Sequence, residues 1–402
     1  MERLTLAENQ SAGVPLILSA TEAAALNQTS LVQAVPALEG GWRLFPCLNK
    51  VGAIRVGERD IVVQPKARFS ALLFMLAYTQ DQGFSPAEFE GLADDDLWPA
   101  VGETLIRLTE RALERGVLRG YVTKDERLPV VRGRIRISDQ LTRHQGIPVP
   151  LEVRYSDFSI DTPENRILRA ALRRMASVER LPGDIARNLR HLEGRLSAAT
   201  RLTPGATRPA WSPNRLNERY VPALRLAELI LDSIGLATAE GEQPMASFAV
   251  NMAAVFEAFV STALNEALTT MSTGLTREQY ATYLTYDKRF LVKPDVVHII
   301  DGRVSAVYDA KYKLEEKLSD LYQMLAYCTI LGLTTGHLVY AGSRFGANDV
   351  EAVIRKAGVT VRVHPLDVAV RPAELLEQVQ QIATSSLENV AIANHALNAA
   401  VH

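Results

Sequence analysis

The stretch that decides the fold of this chain is KPDVVHIIDGRVSAVYDAKYK, residues 293–313. Two apolar runs, Val296–Ile300 and Val304–Tyr308, flank Asp301-Gly302, a dipeptide typical of tight hairpin turns. The pattern predicts two antiparallel strands. Burying a charged side chain in a strand is costly unless it is paired or binds a metal. The candidate functional residues are therefore the three charges that interrupt the apolar pattern: Asp295, Asp309 and Lys311.

The register of the hairpin decides whether these three charges meet. Asp309 and Lys311 are two residues apart, so they share one face of a strand. A two-residue turn would place Asp295 opposite Tyr308, away from the Asp309 face. A three-residue loop with a left-handed glycine, or a β-bulge near Pro294, would place Asp295 opposite Asp309. We expect this shifted register, because it gathers all three charges at one end of the hairpin.

Two carboxylates and a lysine on one strand face suit the hydrolysis of a phosphodiester. Asp295 and Asp309 are suitable ligands for Mg²⁺, or Mn²⁺ in its place, with water completing the coordination. Such a metal polarises a phosphate and lowers the pKa of a bound water. Lys311 can position that water or stabilise the charge that develops on the phosphate. The competing interpretation of the same residues is a hairpin that carries a surface salt bridge.

The predicted helices on either side of the hairpin favour the metal site. Glu257 lies in an amphipathic helix predicted over about 248–268, where it could face either the metal or solvent. Gln323 and Tyr327 are four residues apart on a second helix and share a face. The order of these motifs resembles the core of the PD-(D/E)xK nucleases. The Gln-x-x-x-Tyr helix resembles that of their RecB-type members.

Composition bounds the remaining possibilities. The 402 residues include 44 basic and 46 acidic ones, so any grip on DNA is local or shared with a partner. No apolar run reaches the length of a membrane span and the N-terminus lacks a signal pattern, so we expect a cytoplasmic protein without a membrane partner. With only two cysteines, we expect neither a disulfide framework nor a zinc cluster. Without a Walker loop, the chain should not hydrolyse GTP or ATP itself.

The patterns along the chain predict a mixed α+β protein of three segments. Residues 1–160 should form an N-terminal β-rich domain, because β patterns recur at 50–66 and 117–153; the family resemblance described below implies that this domain interacts with a partner. Residues 161–240 should form a helical connector that begins with a capped helix. Residues 241–402 should form the α/β PD-(D/E)xK endonuclease core.

One predicted strand of the first segment has a basic face. It spans Val130–Ile137, where Arg132, Arg134 and Arg136 lie on either side of Gly133 and Ile135. The arginines could contact DNA phosphates or an acidic partner. An ordinary strand with long solvated side chains explains the pattern equally well.

The chain from about residue 45 to 345 resembles McrC, the nuclease subunit of the McrBC modification-dependent restriction systems. The resemblance rests on the nuclease motifs and on several earlier landmarks: Val51–Ile54, Ile61–Lys66, Arg132–Ile135, Asp161–Arg166, Phe256-Glu257, Pro294-Asp295, Asp309–Lys313 and Gln323–Tyr327. Ala310 stands where the family often has Thr. Because Ala310 faces away from Asp309 and Lys311, we expect no loss of activity.

The resemblance implies a partner and a set of roles. McrC works with McrB, an AAA+ GTPase ring that recognises methylated cytosine. The N-terminal region of McrC stimulates the GTPase, and its C-terminal domain cleaves DNA. Here Asp295 and Asp309 would bind the metal, helped by the Ala310 carbonyl, and Lys311 would act on water. Supporting roles fall to Glu257 near the metal, Gln323 beside Lys311 or DNA, and Lys313 on the DNA backbone.

Two other functions remain open at this point. The chain could be a non-catalytic adaptor that activates an AAA+ ring, or a free-standing RecB-like nuclease. The intact set of Asp295, Asp309 and Lys311 argues against the adaptor.

Overall fold

A computed structural model describes residues 2–56, 59–80, 86, 97–144, 149–203, 207–237, 245–313, 317–342 and 349–400. Within these residues it contains ten α-helices and nineteen β-strands in five sheets, which confirms the mixed α/β class. The helices are α1 Ala20–Gln28, α2 Phe69–Gln80, α3 Leu97–Leu113, α4 Ile137–His144, α5 Pro163–Ala176, α6 Gly183–Arg195, α7 Val221–Ser233, α8 Met252–Met271, α9 Leu318–Leu331 and α10 Pro372–Ala400. None of these helices combines the length and the apolar character that a membrane span needs.

The strands of the described residues are numbered in chain order. They are β1 Glu2–Ala7, β2 Val14–Leu16, β3 Val32–Pro36, β4 Trp42–Pro46, β5 Lys50–Val56, β6 Arg59–Gln64, β7 Gly120–Leu128, β8 Arg134–Ile135, β9 Leu151–Ser159, β10 Ile234–Ala237, β11 Met245–Asn251, β12 Leu275–Glu278, β13 Thr282–Tyr283, β14 Leu291–Val292, β15 Val296–Ile300, β16 Arg303–Lys311, β17 Thr335–Ala341, β18 Val350–Ile354 and β19 Val359–Leu366.

The chain folds as two compact units. The first unit combines Met1–Ala100 with Gly235–His402, and the second unit is Val101–Ile234. This division differs from the three contiguous segments expected from the sequence. The reason is long-range pairing, because β11 lies antiparallel to β5 and joins strands that are nearly 200 residues apart in the chain. Residues 101–160 accordingly belong with the helical connector and not with the N-terminal strands.

The N-terminal sheet has the strand order β1-β6-β5-β11-β10. Strands β5 and β6 are antiparallel, as the sequence predicted, and β1 runs parallel to β6. Gly52 lies where β5 meets β11, and a Cβ atom there would be 1.8 Å from the Phe248 carbonyl oxygen. Only glycine permits this close approach of two backbones. The position of β11 also shortens the predicted helix at 248–268, because α8 begins at Met252.

The larger sheet is mixed and has the order β12-β15-β16-β17-β19-β18. Strands β15 and β16 form the predicted antiparallel hairpin, whereas β16, β17 and β19 run parallel. Helix α9 covers one face, where Met324 and Tyr327 pack with Val307 and Leu338. On the other face the buried Tyr308 hydroxyl bonds to Ser386 of α10. The hairpin is therefore covered on both faces, which explains its nearly continuous apolar runs.

The second unit packs α5 against α6 and α7, beside a sheet with the order β7-β9-β8. Helix α5 starts at Pro163 after a Thr162 cap, as predicted. The strand predicted over Val130–Ile137 is mostly wrong: only Arg134–Ile135 pairs with β9, and α4 begins at Ile137. Gly133 explains the break, because it has a left-handed φ of 70°.

Candidate active site

The turn of the β15–β16 hairpin contains two residues. Asp301 and Gly302 have φ values of 50° and 75°, the signature of a type I′ turn, and Ile300 pairs with Arg303. The three-residue loop considered from the sequence is therefore wrong. Asp-Gly favours the two-residue turn because aspartate tolerates the left-handed region and glycine enters it freely.

A β-bulge then shifts the register. Ile299 pairs with Val304, but His298 pairs with Ala306, so Ser305 is the extra residue on β16. The Ser305 hydroxyl donates a hydrogen bond to the His298 carbonyl oxygen at 3.0 Å. Continuing the shifted register places Asp295 opposite Asp309, as expected, although the bulge lies at Ser305 and not near Pro294. One inserted residue thus brings both carboxylates to the same sheet face.

Asp295 and Asp309 are both buried, with exposed fractions of 9% and 2%. Asp295 Oδ2 accepts a hydrogen bond from the Ala310 backbone N–H at 2.8 Å. Its other oxygen accepts one from Gln279 Nε2 at 2.9 Å. The Lys311 ammonium forms an ion pair with Asp309 Oδ2. The structure therefore brings together the three charges that the sequence singled out.

Burial and mutual repulsion shape the charges of this cluster. Burial, together with the Asp295 carboxylate, raises the pKa of Asp309 to about 7, although Lys311 opposes the rise. Burial also raises the pKa of Asp295. Burial lowers the pKa of Lys311, but the Asp309 carboxylate outweighs this effect and the net pKa is raised. Two carboxylates with raised pKa values beside one cation leave the site short of positive charge.

Glu257 on α8 is half-buried and within electrostatic reach of the cluster. Its pKa is raised by burial and next by the Asp295 carboxylate. Among the described residues, no set of three or more His, Cys, Asp and Glu side chains is arranged to hold a metal ion. The two carboxylates on the shared face of the β15–β16 hairpin are Asp295 and Asp309, and Glu257 lies outside that pair.

The pair formed by Asp295 and Asp309 has the donor chemistry of a Mg²⁺ site. Mg²⁺ prefers one or two carboxylates and fills its remaining positions with water. Asp309 Oδ2 is buried and, apart from its ion pair with Lys311, has no hydrogen bond of regular geometry. Burial and then repulsion from Asp295 raise the pKa of Asp309, and a divalent cation would relieve that repulsion. The residues present therefore fit such an ion.

The Gln-x-x-x-Tyr pair lies at the base of the hairpin. Gln323 is exposed, and its Nε2 donates to the Tyr327 hydroxyl at 2.7 Å. The buried Tyr327 hydroxyl in turn donates to the Lys293 carbonyl oxygen at 3.3 Å. Burial, followed by the Asp309 carboxylate, raises the pKa of Tyr327 to about 12. Tyr327 thus stays neutral beside the carboxylates and holds Gln323 at the edge of the site.

Sequence reasoning missed two residues around the cluster. Gln279 orients Asp295, but it lies in a polar stretch after β12 and nothing in its sequence context distinguishes it. Asp320 is buried at the start of α9, where it ion-pairs with Lys313 at 2.6 Å and accepts from the Tyr340 hydroxyl at 2.6 Å. An acidic residue in the first turn of a helix predicts only a favourable dipole contact. Lys313, predicted to touch DNA, is held by this pair.

His298 lies on β15 but takes no part in the cluster. It is fully buried, with Nδ1 2.9 Å from the Thr276 hydroxyl and Nε2 3.1 Å from the Ser272 hydroxyl. Burial lowers its pKa, so it remains neutral. This histidine ties β15 to β12 and to the end of α8.

The three predicted arginine contacts lie in the second unit. Arg132 stacks over the Tyr155 ring at 4.0 Å and ion-pairs with Asp157 at 2.8 Å. Arg136 ion-pairs with Asp125 at 3.4 Å and with Asp139. Arg134 lies on β8 and is exposed. The arginines belong to one small sheet and its following helix, and two of them already have acidic partners.

Fold and site together define a mixed α/β protein with a buried Asp-Asp-Lys cluster on a β-hairpin. The sequence model of the family described as McrBC 5-methylcytosine restriction system component matches residues 47–341, and the chain belongs to that family. No curated protein sequence matches the chain.

Two solved structures from Thermococcus gammatolerans are similar to the chain. The first is described as a refined half-complex from a tetradecameric assembly of McrB AAA+ hexamers with bound McrC. It is 19% identical, covers 96% of this chain and 100% of the matched one, and gives a TM-score of 0.63. The second is the cryo-EM structure of the McrBC complex, at 20% identity, 66% and 88% coverage and a TM-score of 0.41. The first match shows a shared fold.

Proposed function

We propose that this chain is the nuclease subunit of a modification-dependent restriction complex directed at 5-methylcytosine, with a PD-(D/E)xK endonuclease core. The observation that carries the proposal is the convergence of Asp295, Asp309 and Lys311 on one face of the β15–β16 hairpin. Membership of the McrBC family supports DNA as the substrate. The mixed sheet with helices on both faces is a scaffold of the kind that a PD-(D/E)xK site needs.

Each side chain of the cluster has a distinct task in the proposed reaction. Asp295 and Asp309 would hold Mg²⁺, or Mn²⁺ in its place. When bound, the ion would supply the Lewis acidity that polarises a phosphate and activates water. Lys311 would donate from Nζ to the attacking water or to a phosphate oxygen, and so stabilise the transition state. Gln279 keeps the Asp295 carboxylate in place, because it bonds the oxygen that the Ala310 N–H leaves open.

The outer residues would support this centre. Glu257 would lie outside the Asp295–Asp309 pair and contact the metal or its bound water. Gln323, which is exposed at the edge of the site, would contact Lys311 or the DNA. Lys313 would serve the strand end chiefly through its ion pair with Asp320.

We further propose that the chain binds an AAA+ GTPase ring of the McrB kind and stimulates its hydrolysis. Family membership and the fold shared with a chain from a complex of McrB hexamers with bound McrC support this partner. The lack of a Walker loop in this sequence is consistent with a partner that supplies nucleotide hydrolysis. Arg132, Arg134 and Arg136 remain candidates for contact with DNA or the ring.

The test is plasmid cleavage with Mg²⁺, the candidate ring partner and GTP, on methylated and unmethylated DNA. We expect cleavage of methylated DNA only, and a loss of about 100-fold or more in Lys311→Ala. Lys356→Ala is the matched control, because Lys356 is an exposed turn lysine after β18. It should cleave at the wild-type rate.

Other outcomes would identify the competing functions. Cleavage that needs no ring but disappears in Lys311→Ala would indicate a free-standing RecB-like nuclease. Stimulation of the GTPase by wild type and Lys311→Ala alike, without any cleavage, would indicate a non-catalytic adaptor.

A further inference from the structure

The catalytic strand ends at Lys311, and the next two residues are anchored to different parts of the first unit. Tyr312 is 5% exposed, and its hydroxyl donates to Glu8 Oε2 at 2.8 Å. Lys313 forms its ion pair with Asp320 on α9. The backbone that carries Lys311 is thus held by a contact with the N-terminal strand and by one with a helix.

Glu8 is itself firmly placed. It directly follows β1, and its backbone N–H donates to the Gln64 carbonyl oxygen at 3.1 Å. The Lys66 N–H approaches Glu8 Oε2 at 3.4 Å, and the Lys66 ammonium lies 5.4 Å from the centre of the Tyr312 ring. Glu8 therefore links the five-stranded sheet to the end of the catalytic strand.

Tyr312 also packs against the helix that carries Glu257. Its ring lies 5.7 Å from that of Phe256, which is fully buried and immediately precedes Glu257. The side chain of Tyr312 thus contacts the first strand's end and α8, while its backbone continues from Lys311. A shift of the Tyr312 ring would move Lys311 and Glu257, two groups of the proposed active site, together.

The buried contact between Glu8 and Tyr312 costs more free energy than a purely structural contact needs to. Glu8 is 7% exposed, and its Oε1 has no hydrogen bond among the described residues. Burial raises its pKa in spite of the bond from Tyr312. An unsatisfied buried oxygen is destabilising, so an apolar pair of the same shape would stabilise the fold better. Departures of this kind concentrate where function requires them.

We propose that Glu8 and Tyr312 are positioning residues for the nuclease reaction, which fix the strand end so that Lys311 faces Asp309. This inference rests on the proposed function. It extends the functional site to the end of the first strand of the chain. Glu8 lies outside residues 47–341, which match the family model, whereas Tyr312 lies within them. The N-terminal residues then act on cleavage through the fold itself.

The test compares Tyr312→Phe with Tyr78→Phe. Tyr78 is 3% exposed and its hydroxyl bonds to Glu266 between α2 and α8, so the control removes the same kind of buried bond elsewhere in the unit. Tyr312→Phe should lower kcat for methylated DNA by about 10- to 100-fold, with KM unchanged, because small displacements of catalytic groups are costly. Tyr78→Phe should retain the wild-type kcat.

Two further measurements make the proposal independent of cleavage. Amide hydrogen exchange of residues 308–313 should accelerate in Tyr312→Phe and stay unchanged in Tyr78→Phe. Glu8→Gln, which keeps an acceptor for Tyr312, should preserve kcat better than Glu8→Ala. Equal kcat and equal exchange in the two tyrosine variants would overturn the proposal. If wild type does not cleave at all, the proposed function fails, and the exchange data still decide whether Tyr312 holds the strand end.

Discussion

Replacing Asp309 by asparagine should stabilise the metal-free protein while it abolishes cleavage. Burial and the Asp295 carboxylate raise the pKa of Asp309 from 3.8 to about 7. A pKa difference of about 3 between the unfolded and folded states is equivalent to about 4 kcal/mol. Because the folded-state pKa is the higher one, the contribution of Asp309 to stability is fully present below pH 4 and is lost as the pH rises towards 7.

Asparagine carries no charge at any of these pH values, so the variant avoids that loss. Part of the gain is offset, because the half-buried Lys311 ammonium loses its partner. We therefore expect Asp309→Asn to raise the free energy of unfolding by about 2 kcal/mol at pH 8, and by about 0 at pH 4. The carboxylate ligand is gone, so metal-dependent cleavage should disappear.

The assay is urea unfolding in EDTA at pH 4 and pH 8, with plasmid cleavage measured on the same preparations. Asp161→Asn is a control of opposite sign. Although burial opposes it, hydrogen bonds from Arg166 and Thr200 hold the pKa of Asp161 at about 2. Asp161 therefore contributes stability above pH 4 that is lost as the pH falls towards 2, and its asparagine variant should be less stable at pH 8.

A lower stability of Asp309→Asn than of wild type at pH 8 would refute the reasoning. It would mean that the ion pair with Lys311 outweighs the burial of the Asp309 carboxylate. Added Mg²⁺ gives a second check, because a ligand that binds only the folded state should stabilise wild type and leave Asp309→Asn unchanged.

Three further predictions concern geometry. Gln279→Ala frees one oxygen of Asp295 and should lower kcat by about tenfold while the unfolding midpoint changes little, as cleavage assays and urea unfolding would show. Gly302→Ala forces alanine to a φ of 75° and should cost about 1–2 kcal/mol in urea unfolding; an unchanged midpoint would contradict the type I′ turn. Gly52→Ala places a Cβ against the Phe248 carbonyl and should cost about 3 kcal/mol or more, so little folded protein should be recovered on expression.

Local patterns predicted several secondary-structure elements of both units. Three features depend only on neighbours in the chain: the apolar runs, the Asp-Gly dipeptide and the spacing of Asp309 and Lys311. The hairpin and the face shared by Asp309 and Lys311 could therefore be derived from the sequence. The same holds for the Thr162-Pro163 helix start and the hairpin of β5 and β6. Capping, turn chemistry and strand alternation act over a few residues, which is why they can be read directly from the sequence.

Local patterns failed in two segments, once at a turn inside an alternating stretch and once where a distant strand pairs with the backbone. The stretch Val130–Ile137 alternates like a strand, yet Gly133 turns the chain and α4 begins at Ile137. Phe248 has the surroundings of a helix, but it lies in β11 and pairs with Ala53 of β5. At Phe248 the partner strand β5 lies nearly 200 residues away, so the hydrogen bonds that decide its conformation are invisible to a local window.

The sequence by itself determined which residues carry charge into an apolar hairpin, and hence that Asp295, Asp309 and Lys311 are the candidates for chemistry. Only the tertiary structure decided how they meet. The bulge at Ser305, the bond from Gln279 to Asp295 and the anchoring of Tyr312 by Glu8 each depend on which strands and loops come together. The identity of each residue can be read from the sequence position by position, whereas register, burial and long-range hydrogen bonds are set by the packing of the whole unit.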